Sequence, residues 1–391
     1  MDRTALWALI LSLCPAVVLA QQPPPPAEVD GQGMFGRLSA KMDDLLESLG
    51  ADGGFDPDKT MDWSVLPGPF YTPEMELGLG VSAVGLYQVD RQDTVSQISS
   101  FTVNGFASVN GALGAEIISQ TFFQQDRYRL FINAEVVDAP EVFYGVGLDA
   151  GRVKANKIDF DRRGYRFKPQ LLTQIWPATF VGLGFDFSQN EGRKVEPFAP
   201  RPFEQALQFP DSSTTAALTL HLMHDSRDFI LNAREGRLLQ ADLALYRDGL
   251  GSDSVFEKYN LEYSDYWGVG PGILAWQFAA EFNHGEVPWD QLAQLGGGTR
   301  LRGYNSGRYR DKQMGLAQLE YRHDLPRRHG MVYWLGAGTL AESVSELGSD
   351  KWLHSVGLGY RFEVKQRVNL RLDMAWGNGE SGFYFAVNEV F

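Results

Sequence analysis

The chain has one cysteine, Cys14, and it sits inside an apolar leader. Once that leader is removed the chain holds no thiol, so neither a disulfide framework nor a thiolate metal site can be built from it. Leu13 and Pro15 on either side do not suit lipid attachment. Histidines number six, and no GxSxG elbow or other ordered nucleophile occurs, so no catalytic residue is assigned. Basic residues are in deficit, 35 against 49 acidic ones, and form no block; the net charge of −14 argues against a nucleic-acid partner. Beyond the leader no apolar run could form a membrane-spanning helix. A membrane location would therefore require a closed barrel, because open backbone cannot be satisfied in lipid.

The leader, MDRTALWALILSLCPAVVLA, has Arg3 at its start, an apolar stretch from Ala5 to Leu19 and small residues before Gln21. Residues 1–20 thus read as a signal peptide cleaved near Ala20. An exported chain of this size without disulfides suits a bacterial envelope protein. Residues 21–66 are read as a spacer. QQPPPPAEVDGQG is proline-rich and extended. LSAKMDDLLESLG (Leu38–Gly50) carries an apolar stripe at Leu38, Met42, Leu45, Leu46 and Leu49, which predicts one short amphipathic helix ending at Gly50. The segment is too short for a substantial domain of its own.

Residues 67–391 change to a period of two. Val368, Leu370, Leu372, Met374 and Trp376 share one face, and Asn369, Arg371, Asp373 and Ala375 the other. The same alternation runs through Leu274–Phe282, Leu239–Leu245 and Ser355–Phe362. A soluble sandwich or a membrane barrel would both alternate in this way. Strands of about ten residues, and short connectors (VNGALG, VDAPE, WPAT, GVGPG, EVKQ) set against long ones, favour the barrel. The expected fold is all-β, a transmembrane antiparallel barrel of sixteen strands, centred near residues 80, 102, 117, 132, 145, 168, 182, 219, 242, 260, 278, 318, 335, 358, 372 and 387. An even count places both termini, and a short N-terminal segment, in the periplasm. The last strand, GFYFAVNEVF, puts Phe383, Phe385 and Val387 on one face and ends at Phe391, like the C-terminal signal of outer-membrane barrels.

Residues 295–304, LGGGTRLRGY, pair three permissive glycines, Gly296, Gly297 and Gly298, with a tip of Arg300, Arg302, Gly303 and Tyr304. No Lys-Ser/Thr follows, so this is not a phosphate loop. LRGY resembles the tip of the sixth extracellular loop of the bacterial surface-antigen family, the BamA/TamA-type assembly barrels and their two-partner secretion relatives. HDSRDFILNAREG, AQLEYRHDL and the closing strands from SVGLGYRF to GFYFAVNEVF resemble further family patterns in the same order. The resemblance implies a loop folded back into the lumen, with its arginine on acidic and aromatic wall residues. It also implies insertion or translocation of polypeptide at the outer membrane, without catalysis.

Two departures stand out. The spacer is too short for the periplasmic POTRA modules usual in the family. Gly336 in WLGAGTL stands where the family carries an aspartate for the loop arginine. By alternation Glu320 faces inward and is the first choice of partner for Arg302, with Asp373 and Glu281 behind it. Asp225, Arg227 and Asp228 read as charges that fix a turn. His221 and His224 lie on opposite strand faces and cannot share a metal easily. No cofactor or metal is implied. Expected partners are outer-membrane lipid, client outer-membrane polypeptides or a periplasmic protein, with a homodimer open. A porin-like solute channel and a structural surface barrel are the alternative readings.

Overall fold

In the computed structural model the described residues are 47–391, apart from 73–74, 197–211 and 349–350. The leader, the proline-rich segment and most of the Leu38–Gly50 stretch lie outside them. Glu47 and Ser48 are helical, and Gly50, at φ 81, ends that turn.

Sixteen antiparallel strands form one sheet in chain order. They are β1 (Asp62–Thr72), β2 (Glu76–Tyr87), β3 (Ser99–Ser108), β4 (Leu113–Phe123), β5 (Tyr128–Phe143), β6 (Ile158–Trp176), β7 (Thr179–Glu196), β8 (Ser213–Asp225) and β9 (Gly236–Tyr246). After β10 (Phe256–Val269) and β11 (Gly272–Gly285), a small separate pair, β12 (Ala293–Leu295) and β13 (Tyr309–Asp311), interrupts the series. The barrel resumes with β14 (Gln313–Leu325), β15 (His329–Ala341), β16 (Leu353–Lys365), β17 (Val368–Trp376) and β18 (Ser381–Val387). Alternation decides what each face meets. Leu77, Leu79, Leu183, Phe278, Leu335, Val356 and Met374 are exposed on the outer face. Gln277, Glu281, Glu320, Arg371 and Asp373 are buried on the inner one.

The count of sixteen agrees with the sequence reading, but two of its members differ. A strand runs over Asp62–Thr72, where none is expected from the sequence, and residue 145 lies in a loop. β1 therefore starts ahead of the boundary at residue 67. Proline hid both errors. Pro67 and Pro69 make β1 look like a turn, and Pro140 makes VDAPE look like one within β5. Pro140 is tolerated because the β4 ladder stops at Asp138, leaving β5 an edge beyond that point. In consequence VNGALG falls at the same end of the barrel as the long connectors, not with the short ones. The opposite end, where β1 begins and β18 finishes, is the periplasmic one by loop asymmetry.

β1 and β18 meet without a ladder: no backbone pairing joins them among the described residues. Phe385 crosses from β18 onto Gly68 of β1, where a β-carbon would sit 2.2 Å from the ring's Cζ. Val387 packs beside the buried Leu66 and Val84. The face expected to carry the C-terminal signal is thus split. Phe383 stays exposed, while Phe385 and Val387 pack against the inner side of β1 and its neighbour. Beyond Asn388, at φ 69, the chain turns inward. Glu389 accepts from Arg361 Nε at 2.8 and 3.0 Å, and Arg322 Nη2 donates to the Phe391 backbone oxygen at 2.7 Å.

Side chains hold the periplasmic rim where the ladder is missing. Lys365, fully buried, donates to Asp62 Oδ2 at 2.8 Å and to Asp52 Oδ1 at 2.7 Å, tying β1 to the β16–β17 turn. The β8–β9 connector reaches the same region. Arg367 donates to Asn232 O and Asp228 Oδ2, and Gln97 from the β2–β3 connector bonds the backbone of Arg227 and Ile230.

Two expected outcomes follow from this rim and seam. Gly68→Val should overpack the Phe385 contact and destabilise the barrel by about 1–3 kcal/mol. Gly105→Ala, whose new methyl would meet nothing nearer than 3.8 Å, should not. Urea midpoints from heat-modifiable gel mobility would separate the two. Asp93 clips the β2–β3 connector to the β4–β5 turn. Burial pushes its carboxyl up, but the Ser96 N–H and hydroxyl and the Val95 and Gln125 N–H groups bring it down to about 2. A depressed carboxyl stabilises above its ordinary range of about 4 and loses that contribution as pH falls toward 2. Proteolysis of this rim should therefore rise between about pH 4 and pH 2, and Asp93→Asn should show the same sensitivity at pH 7.

Candidate functional site

The β11–β14 connector, residues 286–312, folds into the barrel. Ala293, Leu295, Leu301, Tyr304 and Tyr309 pack with Met314, Leu316, Leu340 and Leu353 in one buried cluster. The wall makes room by omission. A β-carbon on Gly336 would sit 3.1 Å from Leu301 Cδ1, and one on Gly338 would sit 2.9 Å from Leu295 Cδ1. Gly296 and Gly297, at φ 118 and 80, supply the turn that the sequence promised, and Gly303 at φ 104 supplies another. Gly298 does not need a positive φ; its carbonyl accepts from Arg371 Nη2 at 3.3 Å.

Arg302 is fully buried. Nη1 donates to Asp373 Oδ2 at 2.7 Å, Nη2 donates to Glu320 Oε1, and the guanidinium lies 3.7 Å from the centre of the Trp334 ring. The Ser355 hydroxyl donates to its carbonyl. Gly357 and Gly359 on β16 let these groups meet: a β-carbon at either would collide with Trp334 or with Asp373. Gly336 thus leaves no gap in the charge pairing, because Asp373, two strands further round, reaches over Gly359. Glu281 takes Arg300 instead, at 2.7 Å, along with Lys258 at 3.2 Å.

The network extends past the residues chosen from sequence. Arg322 Nε holds Glu320 at 3.0 Å, Arg361 Nη1 holds Asp373 at 2.6 Å, and Arg371 Nε stands 3.6 Å from Asp373. Charge-assisted pairs of this kind are strong when desolvated. Arg361, Arg371 and Tyr384 share the inward parity that selected Glu320; Tyr384 lies directly opposite Asp373 in the ladder. Glu389 does not share it: it has the parity of Phe383, Phe385 and Val387 and reaches Arg361 only because the chain turns inward at Asn388. The Tyr384 hydroxyl accepts from the Gly303 N–H at 3.0 Å. Tyr304 donates to His354 O at 2.6 Å. Farther along the loop, Arg308 pairs with Glu380 at 3.0 Å and Arg310 with Glu141 at 3.1 Å.

The remaining charges have structural partners. Asp225 is buried between Arg129 at 2.8 Å and Arg227 at 2.8 Å. His221 bonds Asp242 at 2.8 Å inside, while His224 meets Thr179 at 3.0 Å on the other face. No cluster of three metal-ligating side chains occurs among the described residues. Lumen space remains beside the seam, in a cavity of about 720 Å³ lined by Phe70, Phe106, Phe131, Met223 and Phe385.

A sixteen-stranded antiparallel sheet in chain order, with a loop clamped on its inner face and an unzipped first–last seam, is the architecture of an outer-membrane β-barrel. The Omp85 superfamily domain matches residues 99–391, and the chain belongs to that superfamily. No curated protein sequence matches significantly. Among solved structures, BamA from Haemophilus ducreyi lacking POTRA domains 1–3 is similar in fold. It has a TM-score of 0.53 and 14% identity, over 90% of this chain and 77% of that one. CdiB from Escherichia coli gives 0.56 and 11%, over 85% and 62%. CdiB from Acinetobacter baumannii gives 0.50 and 12%, over 83% and 59%. The chain therefore spans about three-fifths of either CdiB.

Removing one member of a buried ion pair typically costs about 3–5 kcal/mol. Arg302→Ala and Asp373→Asn should each lower the urea midpoint of heat-modifiable mobility and open residues 286–312 to protease. Unchanged mobility and unchanged protease resistance in both would contradict the clamp.

Proposed function

We propose that this barrel inserts or translocates polypeptide at the outer membrane, without catalysis and without a cofactor. The observation that carries the reading is the seam. A barrel that only conducts solute gains from full closure, since each unpaired backbone group in hydrocarbon costs free energy. This one keeps two strand edges apart, inside a wall otherwise laddered throughout. On this reading the Arg302 clamp holds the loop as a brace, so that the wall keeps its shape when the seam parts. The leader directs export and is cleaved near Ala20, and the chain acts in the outer membrane of a Gram-negative bacterium.

A solute channel is the second reading, favoured by the polar inner wall and the cavity beside the seam. Planar-bilayer recording of the refolded chain, beside Arg302→Ala, distinguishes them. The insertion reading expects small, erratic current that rises in the variant, and faster folding of a urea-denatured barrel precursor into liposomes that contain the protein. Large, steady current in both proteins, with no effect on precursor folding, would replace it with the channel reading.

A further inference from the structure

A membrane barrel ordinarily turns its polar face to the lumen. Part of this inner wall is apolar. By the alternation of exposed residues along β1, β3, β4, β5, β8 and β9, Phe70, Phe106, Ile118, Phe131, Met223 and Leu238 point inward. All six border the cavity of about 720 Å³ beside the seam. Phe383 of β18 borders it as well, and so does Val81, which is exposed on the same face of β2 as Leu77 and Leu79. The cavity thus reaches the junction where, among the described residues, no ladder joins β1 to β18. There alone the lumen and the surrounding hydrocarbon are not divided by paired backbone. Apolar cavities tend to stay dry and to accept apolar ligands.

Several polar groups on the cavity wall hold one another or a near neighbour. Asn104 accepts from Ser82 at 2.8 Å and donates to Glu116 at 3.3 Å. Gln240 donates to Asp242 at 2.8 Å, and Glu262 accepts from Gln277 at 2.8 Å. Arg371, which also borders the cavity, is different. It is 4% exposed, and its Nη2 reaches Gly298 O at 3.3 Å. Its Nη1 and Nε have no hydrogen-bond partner among the described residues. Asp373 stands 3.6 Å from Nε but is already bonded by Arg302 and Arg361. A cation with donors to spare therefore sits beside an apolar cavity. β17 begins at Val368, so Arg371 lies about 10 Å inside the periplasmic rim. Phe70 and Phe106 lie near the extracellular ends of β1 and β3. A ligand laid along the cavity would have its anionic end toward the periplasm.

We propose that this cavity binds an anionic phospholipid of the surrounding membrane, with its phosphate on the spare donors of Arg371 and one acyl chain laid against Phe131, Ile118 and Phe106. The inference adds a lipid-binding activity to the insertion reading and does not depend on it. Two unfavourable features of the empty cavity are met by the two halves of such a ligand. A buried guanidinium short of partners is destabilising, and a phosphate accepts from it through two parallel N–H groups. Apolar wall left facing water is destabilising too, and an acyl chain covers it. A polar solute would meet only the first need, and a neutral lipid only the second. Entry is from the side, because side-chain contacts rather than a ladder hold β1 to β18.

The test uses the full chain in lipid nanodiscs that contain phosphatidylglycerol with a diazirine on one acyl chain, or phosphatidylcholine carrying the same chain. After illumination, adducts are located residue by residue by mass spectrometry. Adducts at outward Leu79 and Ile117 report ordinary contact with the bilayer and serve as the reference for both lipids. Adducts at inward Phe106, Ile118 and Phe131 are expected with phosphatidylglycerol, and far fewer with phosphatidylcholine. Arg371→Gln should lower the inward adducts by about tenfold against the outward ones, the scale of one charge-assisted hydrogen bond. Gly80→Leu tests the cavity away from the arginine cluster. A β-carbon there would meet nothing nearer than 3.6 Å, so the side chain enters the cavity without a clash. It should abolish the inward adducts while the barrel stays heat-modifiable. Adducts confined to the outer face would overturn the proposal. So would inward adducts that are equal for the two lipids and unchanged in Arg371→Gln, or that persist in Gly80→Leu. None of these results bears on insertion, which the client-folding assay reads separately.

Discussion

In hydrocarbon every backbone N–H and C=O needs a partner, and a barrel meets that demand only by closing on itself. This barrel meets it at fifteen strand junctions and not at the last. Much of the periplasmic half of the structure reads as a consequence. Lys365 reaches Asp62 and Asp52, Phe385 covers Gly68, and the residues after Asn388 turn in to Arg322 and Arg361. Each ties together elements on the two sides of the gap through side chains, which can separate and reform more easily than a ladder.

The extracellular half follows from a second omission. Glycines on β15 and β16 lower the inner wall, and the loop before β14 fills the hollow. Arg302 then finds itself with two carboxylates and an indole, in a site with no water-exposed surface. Four arginines share three carboxylates there, so the cluster depends on every acidic member. The clamp braces the wall near β17, the strand to which β18 is laddered. Bracing the loop and leaving the seam loose are compatible, because they use different faces and different bonds.

What the sequence disclosed follows from period and parity. The alternation of Leu370–Trp376 or Leu274–Phe282 needs no tertiary information, and inward parity alone selected Glu320 and kept Asp373 in reserve. The misplacements have one cause. Pro67, Pro69 and Pro140 look like turn residues, whereas each lies on a strand stretch with a free side. That exemption becomes visible only when the neighbour's end is known. Gly336 looked like a lost partner because a missing carboxylate is easy to see, while its substitute lies two strands away. The bond from the Val65 amide to Leu49 O, and the inward turn of Glu389 after Asn388, depend on where the seam falls. No local pattern encodes that.

The measurement closest to the central claim is amide hydrogen exchange of the folded chain in lipid nanodiscs, read residue by residue. An unladdered seam predicts that the Phe383, Phe385 and Val387 amides exchange orders of magnitude faster than those of Leu358 or Leu372 in the neighbouring strands. The Val65 amide, bonded to Leu49, should be slower than these three. Equal, strong protection of all three β18 amides would mean that β1 and β18 are zipped in the membrane, and the account of the seam would be wrong.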